Sequence, residues 1–247
     1  MKKIIIPLPP TKAEQSAIAT ALNDADKLIT ALEKLIAKKR NIKQGAMQEL
    51  LKPKEGWETK GLGEVADVVG GGTPSTFKSS YWNGRINWFT PTEIGNNKYS
   101  FQSMRKINKE GLNNCSAKLL PAGTILLTSR ASIGDVSILM NEACTNQGFQ
   151  SLIVRNGYHN EFFYYLIVVL KPLLIQNSSG STFLEISPNK LKSIDVCFPD
   201  YETQVHIAKI LSDMDSEIEA LEKKLDKYKM IKQGMMQNLL MGKIRLI

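Results

Sequence analysis

One stretch of this chain is written twice, and no other feature restricts the possible folds as much. Residues 10–51 return without a gap as residues 199–240, with about half of the positions identical. The matches include Gln15 with Gln204, Asp24 and Asp26 with Asp213 and Asp215, and Ala31-Leu32-Glu33-Lys34 with Ala220-Leu221-Glu222-Lys223. Both copies close on Ile-Lys-Gln-Gly-x-Met-Gln-x-Leu-Leu, from Ile42 and from Ile231. Copies of a solenoid abut one another. Here a long unique segment separates them, so the repeat is a pair of matching elements around one insert.

Each copy has a helical pattern. Apolar residues fall at Ile18, Leu22, Ala25, Ile29, Leu32 and Ile36, and again at Ile207, Leu211, Met214, Ile218, Leu221 and Leu225, in alternating steps of four and three. That is the seam of a coiled coil, a narrow stripe that requires a partner helix. Pro10 and Pro199 stand just before the helices, where a missing amide costs nothing. Gly45 and Gly234 lie inside the pattern, where glycine costs about 1 kcal/mol against alanine, so a kink or phase change is expected at each. The insert joins the end of one copy to the start of the other, which favours antiparallel pairing within the chain.

With 247 residues, 43% of them hydrophobic, the chain can bury one or two cores. The net charge of +8 favours an anionic partner, nucleic acid ahead of a membrane surface. The excess is greatest at the start: residues 1–54 hold 11 Lys/Arg against 5 Asp/Glu, and residues 55–198 hold 13 against 11. Cys115, Cys144 and Cys197 are far apart and form no Cys-x-x-Cys, so neither a disulfide framework nor a zinc site is indicated and a reducing cytoplasm fits. The most apolar run, Phe162 to Ile175, is broken by Lys171-Pro172 and falls short of the roughly 20 residues that span a bilayer. It is expected to be a buried helix, and no membrane partner is expected.

The order of elements suggests three segments. Residues 1–54 hold a strand at Ile4 to Leu8 and the first helix; residues 55–198 form a globule; residues 199–247 hold the second helix. Ser193 to Phe198 occupies the same place before the second copy that Ile4 to Leu8 occupies before the first, so the chain reads as a fragment or permuted form of something longer. Within the globule, strands are expected at Val65–Val69, Arg85–Thr90, Gly123–Thr128, Gly134–Leu139 and Phe149–Val154, with helices from Glu161 to Gln176 and from Pro188 to Leu191. The fold class is α+β, with one mixed-sheet domain flanked by two long helices.

No catalytic constellation is present. Gly70-Gly71-Gly72-Thr73 lacks the Gly-Lys-Ser/Thr of a phosphate loop. His159 and His206 stand apart in the sequence, and neither the glycine motif nor the Asp/Asn-Pro-Pro-aromatic motif of an adenine methyltransferase is found. No cofactor or metal is expected. The globule instead offers polar loops with single basic and aromatic side chains: Thr73, Ser75 and Lys78; Arg85 and Trp88; Asn96, Asn97, Lys98 and Tyr99; Ser129 and Arg130; Thr145, Asn146 and Gln147; and Ser178, Ser179, Ser181 and Thr182. Arg, Lys, Asn and Gln match base edges, whereas Ser, Thr and Lys suit phosphates. These residues are the DNA-contact candidates.

A further set of motifs accompanies the repeat: Pro-x-x-x-x-Gln at its start, Gly56-Trp57, Leu62-Gly63, Gly71-Gly72-Thr73-Pro74-Ser75, Tyr81-Trp82-x-Gly84-x-Ile86-x-Trp88, Leu120-Pro121-x-Gly123-Thr124, Ile133-Gly134 and Asn146-Gln147. Together they resemble the specificity (S) subunit of type I restriction-modification systems. The resemblance implies a non-catalytic reader of double-stranded DNA whose two helices pair as an antiparallel spacer, with methyltransferase (M) and restriction (R) subunits supplying the chemistry. Family members usually hold two target recognition domains, and this chain holds one. The resemblance therefore implies a second copy or another S fragment, and the strand Ile4 to Leu8, left with no sheet of its own, is expected to add to a sheet edge of a second chain, which gives a homodimer with residues 1–10 in the contact. The competing reading is a coiled-coil adaptor that does not touch DNA.

Overall fold

The computed structural model describes residues 9–180 and 184–246. The strand expected at Ile4 to Leu8 lies outside them, as do Ser181 and Thr182. Along the chain come α1 (Lys12–Leu50), β1 (Glu58–Gly61), α2 (Leu62–Val65), β2 (Ala66–Gly70), β3 (Trp82–Phe89), β4 (Tyr99–Ser100), β5 (Arg105–Ile107) and α3 (Lys109–Asn113). They are followed by β6 (Ile125–Leu127), β7 (Val136–Leu139), β8 (Ala143–Thr145), β9 (Gln150–Val154), α4 (Asn160–Gln176), α5 (Pro188–Lys192), β10 (Asp195–Phe198) and α6 (Tyr201–Leu240). The chain divides into two compact units, one of Met1–Ala46 with Ser212–Ile247, the other of Met47–Leu211.

In the first unit, α1 and α6 pair antiparallel, and the sequence repeat becomes a two-fold relation. Lys232 binds Asp26 at 2.5 Å, and its repeat image is the ion pair of Lys43 with Asp215. Lys229 binds Glu33 at 2.8 Å, and its image is Arg40 with Glu222 at 2.6 Å. Each helix thus lends the same acids and bases to the other. Exposed ion pairs contribute little stability, about 0–1 kcal/mol each, but they fix register and orientation. Ile18, Ile29, Leu32 and Ile36 are buried along α1, and Ile218 and Leu239 along α6, while Leu22, Leu221 and Leu225 are half-buried. Their burial supplies the driving force.

The kink expected at Gly45 and Gly234 does not occur, since both helices run through these positions. A phase change occurs in α1, where the four-three spacing from Ile36 leads to Ala46 and Leu50 but Met47 and Leu51 are the buried residues, whereas Leu239 of α6 keeps the phase. A Cβ built at either glycine meets nothing within 4 Å, so packing inside the chain does not require glycine there.

Each copy opens on a stop that the repeat also explains. Asp200 Oδ1 accepts the amide of Thr203 at 2.8 Å and caps α6, which holds the Asp200 carboxyl below its usual range. Thr11 Oγ1 accepts the amide of Glu14 at 3.2 Å at the start of α1. Gln204 folds back so that its side-chain amide donates to Pro199 O at 2.9 Å, and Gln15 donates to Pro9 O at 3.0 Å.

The second unit is built on three sheets where the sequence indicated a single one. A five-stranded sheet has the order β2-β9-β6-β7-β4, antiparallel throughout except for parallel β4 and β7. A three-stranded sheet has the order β5-β3-β8, with β3 antiparallel to β5 and parallel to β8. β1 and β10 form an antiparallel ribbon. The strands β1, β4, β5 and β8 are short and carry too little alternation to be read from sequence. The main core packs Phe89, Ile94, Leu120, Leu126, Leu139, Ala143 and Phe149. A second cluster, Trp88, Ile107, Ala117 and Cys144, underlies the smaller sheet. Burial pushes the Cys144 thiol up to about 12, which leaves it a packing group rather than a nucleophile. Trp57 of the Gly-Trp motif packs edge-on against Phe162 of α4, with ring centroids 6.4 Å apart. No described helix is long and apolar enough to cross a membrane.

Candidate nucleic-acid interface

The loops nominated from sequence are joined by backbone hydrogen bonds. The glycine run closes on the loop after β8, where Gly72 N donates to Thr145 O at 2.9 Å and Thr73 Oγ1 donates to Gln147 Oε1 at 2.5 Å. Asn146 N donates to Phe89 O at 3.0 Å, and its Oδ1 accepts the amide of Gly148 at 2.8 Å, which holds its side chain to the turn. Gly148 O accepts from Ser129 N at 2.9 Å, and Ser129 O accepts from Ile186 N at 3.0 Å. Glu185 and Ser179 exchange amide bonds at 3.0 Å, and Arg130 bridges to Glu185. Thr73, Asn146, Gln147, Arg130 and Ser179 therefore lie on four chain segments joined by one series of hydrogen bonds, with Thr73, Gln147 and Ser179 exposed and Asn146 and Arg130 half-buried.

Two tryptophans hold the first of these loops from behind. Trp88 Nε1 donates to Gly72 O at 2.8 Å and Trp82 Nε1 donates to Ser75 O at 3.2 Å, while the two rings meet edge to face at 5.1 Å. The Arg105 guanidinium lies 3.6 Å from the centroid of the Trp82 ring. The sequence names Trp82 only within the Tyr81 to Trp88 motif and not as a contact candidate, and it does not single out Arg105. The Tyr-Trp-x-Gly-x-Ile-x-Trp spacing was the available signal, because it places both indoles on one stretch of strand.

Several candidates lie inside the fold instead. Trp88, Ser129 and Thr145 are 3%, 0% and 1% exposed, so their side chains shape the loops and cannot meet a ligand. The Ser129 hydroxyl has no hydrogen-bond partner among the described residues. Lys98 is held by Glu161 at 3.0 Å and the Tyr165 hydroxyl at 2.9 Å, and Tyr99 also donates to Glu161, so this pair fastens the loop before β4 to α4. Ser178 caps the end of α4 through Leu174 O at 2.7 Å. Asn96 and Asn97 are exposed in the turn after Gly95, and Arg85 is exposed on β3. Lys78 is exposed but has its ammonium 3.0 Å from the Tyr81 hydroxyl, which raises its pKa.

Ala131, the residue after Arg130, adopts φ +64°, a left-handed conformation that non-glycine residues rarely occupy. Such residues cluster where a loop must present a side chain. Among the described residues no group of three or more His, Cys, Asp or Glu side chains could hold a metal ion.

Comparison with known proteins places this architecture. The family model for the type I restriction modification DNA specificity domain matches residues 54–229. The specificity subunit of the type I restriction enzyme MjaIX from Methanocaldococcus jannaschii is 41% identical over 175 residues, 69% of this chain and 40% of that one. The EcoR124I/EcoR124II specificity subunit of Escherichia coli is 29% identical over 229 residues, 87% of this chain and 56% of that one. The crystal structure of the HsdS subunit from Thermoanaerobacter tengcongensis superposes with a TM-score of 0.68 at 20% identity, covering 97% of this chain and 61% of that one. The S subunit from M. genitalium gives 0.60 at 19% identity. The chain thus spans between 40% and 56% of the length of the two curated relatives named here.

Proposed function

The chain belongs to the type I restriction modification DNA specificity domain family, and from that premise we propose that it reads one half of a bipartite DNA site and carries no catalytic group of its own. The observation behind this reading is that the loops of Thr73, Asn146, Gln147, Arg130 and Ser179 are joined by one series of hydrogen bonds, with the first of them braced by two indoles. A coiled-coil adaptor has no use for it. Arg130 is the proposed base reader: a guanidinium bound to a guanine edge contributes about 1–3 kcal/mol of discrimination. Arg130→Ala is therefore expected to weaken binding to a duplex selected from a random library roughly 5- to 150-fold and to leave non-specific binding nearly unchanged. Equal loss on both would move Arg130 to the phosphate backbone.

The helix pair is proposed to scaffold methyltransferase and restriction subunits. Ile42 and Ile231 are repeat images and are 47% and 43% exposed, and Gly45 and Gly234, one turn further on, are repeat images with open space around them. Glycine in a helix interior that packing does not require points to close approach of another backbone. Its recurrence under the two-fold relation supports two equivalent docking places.

The pairing of two copies is proposed from the two glutamines. Gln204 is 1% exposed, and its Oε1 accepts the His159 amide at 2.9 Å, which seats the start of α6 on the recognition unit. Gln15 also bonds backward, to Pro9 O one residue before the repeat image of Pro199, but is exposed. A second copy's recognition unit would seat on Gln15 as this one seats on Gln204. A homodimer in light scattering is expected, with Gln15→Ala raising its dissociation constant about tenfold by leaving a desolvated amide unpaired. A monomer at all concentrations would remove the homodimer and leave a second S fragment as the partner.

A further inference from the structure

We infer that Phe77 is an apolar wedge that packs against a base step of the DNA. This assignment rests on the DNA-reading function proposed above and goes beyond it to a residue that base-edge chemistry does not nominate. Phe77 is 100% exposed. A single exposed apolar residue is ordinary on a protein surface; what distinguishes this one is how firmly the chain beneath it is held.

Phe77 stands at the tip of a turn in which Lys78 N donates to Ser75 O at 3.4 Å. The same Ser75 carbonyl accepts the Trp82 indole, and one turn back Gly72 O accepts the Trp88 indole. Tyr81 N donates to Lys78 O at 3.1 Å and closes the far side. The ring is thus presented to solvent by a loop fixed at both ends, on the same loop as Thr73, whose hydroxyl ties it to Gln147. Beside it, the Lys78 ammonium sits over the Tyr81 ring, 5.1 Å from its centroid. An apolar ring with a neighbouring cation, held forward on a rigid support, is the combination by which proteins unstack a base step while neutralising the adjacent phosphate.

The test uses the full chain with its cognate methyltransferase subunit and a duplex selected by the wild-type complex from a random library, with 2-aminopurine replacing each adenine in turn. Wild-type binding is expected to raise 2-aminopurine fluorescence at one step, and Phe77→Ala to abolish that rise and weaken binding at least tenfold. Phe77→Trp is expected to retain both. The substitution lies in solvent, so an unchanged thermal melt controls for folding. Wild-type affinity and fluorescence in Phe77→Ala, with Arg130→Ala still defective, would overturn the wedge and leave DNA reading intact. Unchanged DNA binding with weakened capture of the methyltransferase subunit would reassign the ring to a protein contact. If the wild-type complex selects no sequence, the DNA-reading function falls, and the wedge with it.

Discussion

The affinity of this chain for DNA is expected to fall about 150-fold when monovalent salt rises from 50 to 200 mM, because four neutralised phosphates give a log-log slope near −3.6. The basis is the distribution of charge in the recognition unit. Lys78, Arg85, Arg105 and Lys118 are exposed. Each displaces roughly 0.9 counterion when it meets a phosphate. Lys98 is excluded from this group because its ammonium is held by Glu161 and Tyr165. Replacing Arg85 or Lys118 with alanine is expected to reduce the slope by about 0.9, whereas replacing Lys98 lowers stability and leaves the slope unchanged. Titrations at several salt concentrations decide the matter. A slope shallower than −1 would mean that the net charge of +8 is a solvated surface, and would favour the adaptor reading.

The double substitution Gly45→Ala and Gly234→Ala is expected to move stability and assembly in opposite directions. Alanine is favoured over glycine in a helix interior by about 1 kcal/mol, so the pair should add about 2 kcal/mol. For a chain of this size that corresponds to a rise in Tm of roughly 4–8 °C. Nothing within 4 Å opposes the added methyls. If the glycines exist to let another backbone approach, the same methyls hold that backbone away, and capture of the methyltransferase subunit should fall at least tenfold. Calorimetry and a pull-down on one preparation read both effects. A higher Tm with undiminished capture would show that the glycines are not a docking notch, and the scaffold surface would then have to lie elsewhere on the helices.

Much of the helix unit could be read from the sequence because coiled-coil packing is a local periodic property. Ile29, Leu32 and Ile36 announce a seam by spacing alone, and a repeat with matching acids and bases already contains its antiparallel partner. Asp26 meets Lys232 for the same reason that Asp215 meets Lys43. The Gln of the Pro-x-x-x-x-Gln opening was visible as a pattern, but its job was not: only the folded chain shows Gln204 bonded to the His159 amide while Gln15 stays exposed.

The recognition unit was legible as an α+β globule with polar loops, and the longer strands β3 and β9 were found by alternation. What sequence could not decide is which polar residues face outward. Trp88, Ser129 and Thr145 have the chemistry of DNA contacts, yet they are buried because three-residue strands and glycine turns bring distant segments over them. Lys98 was lost to the interface through a pairing with Glu161, 63 positions along the chain. Conversely, Arg105 on Trp82 and the exposed ring of Phe77 become notable only once two indoles are seen holding Gly72 and Ser75. Periodicity is set by neighbours three or four residues away and is therefore written locally. Exposure in a loop-rich sheet domain is set by long-range hydrogen bonds, and only the tertiary structure decides it.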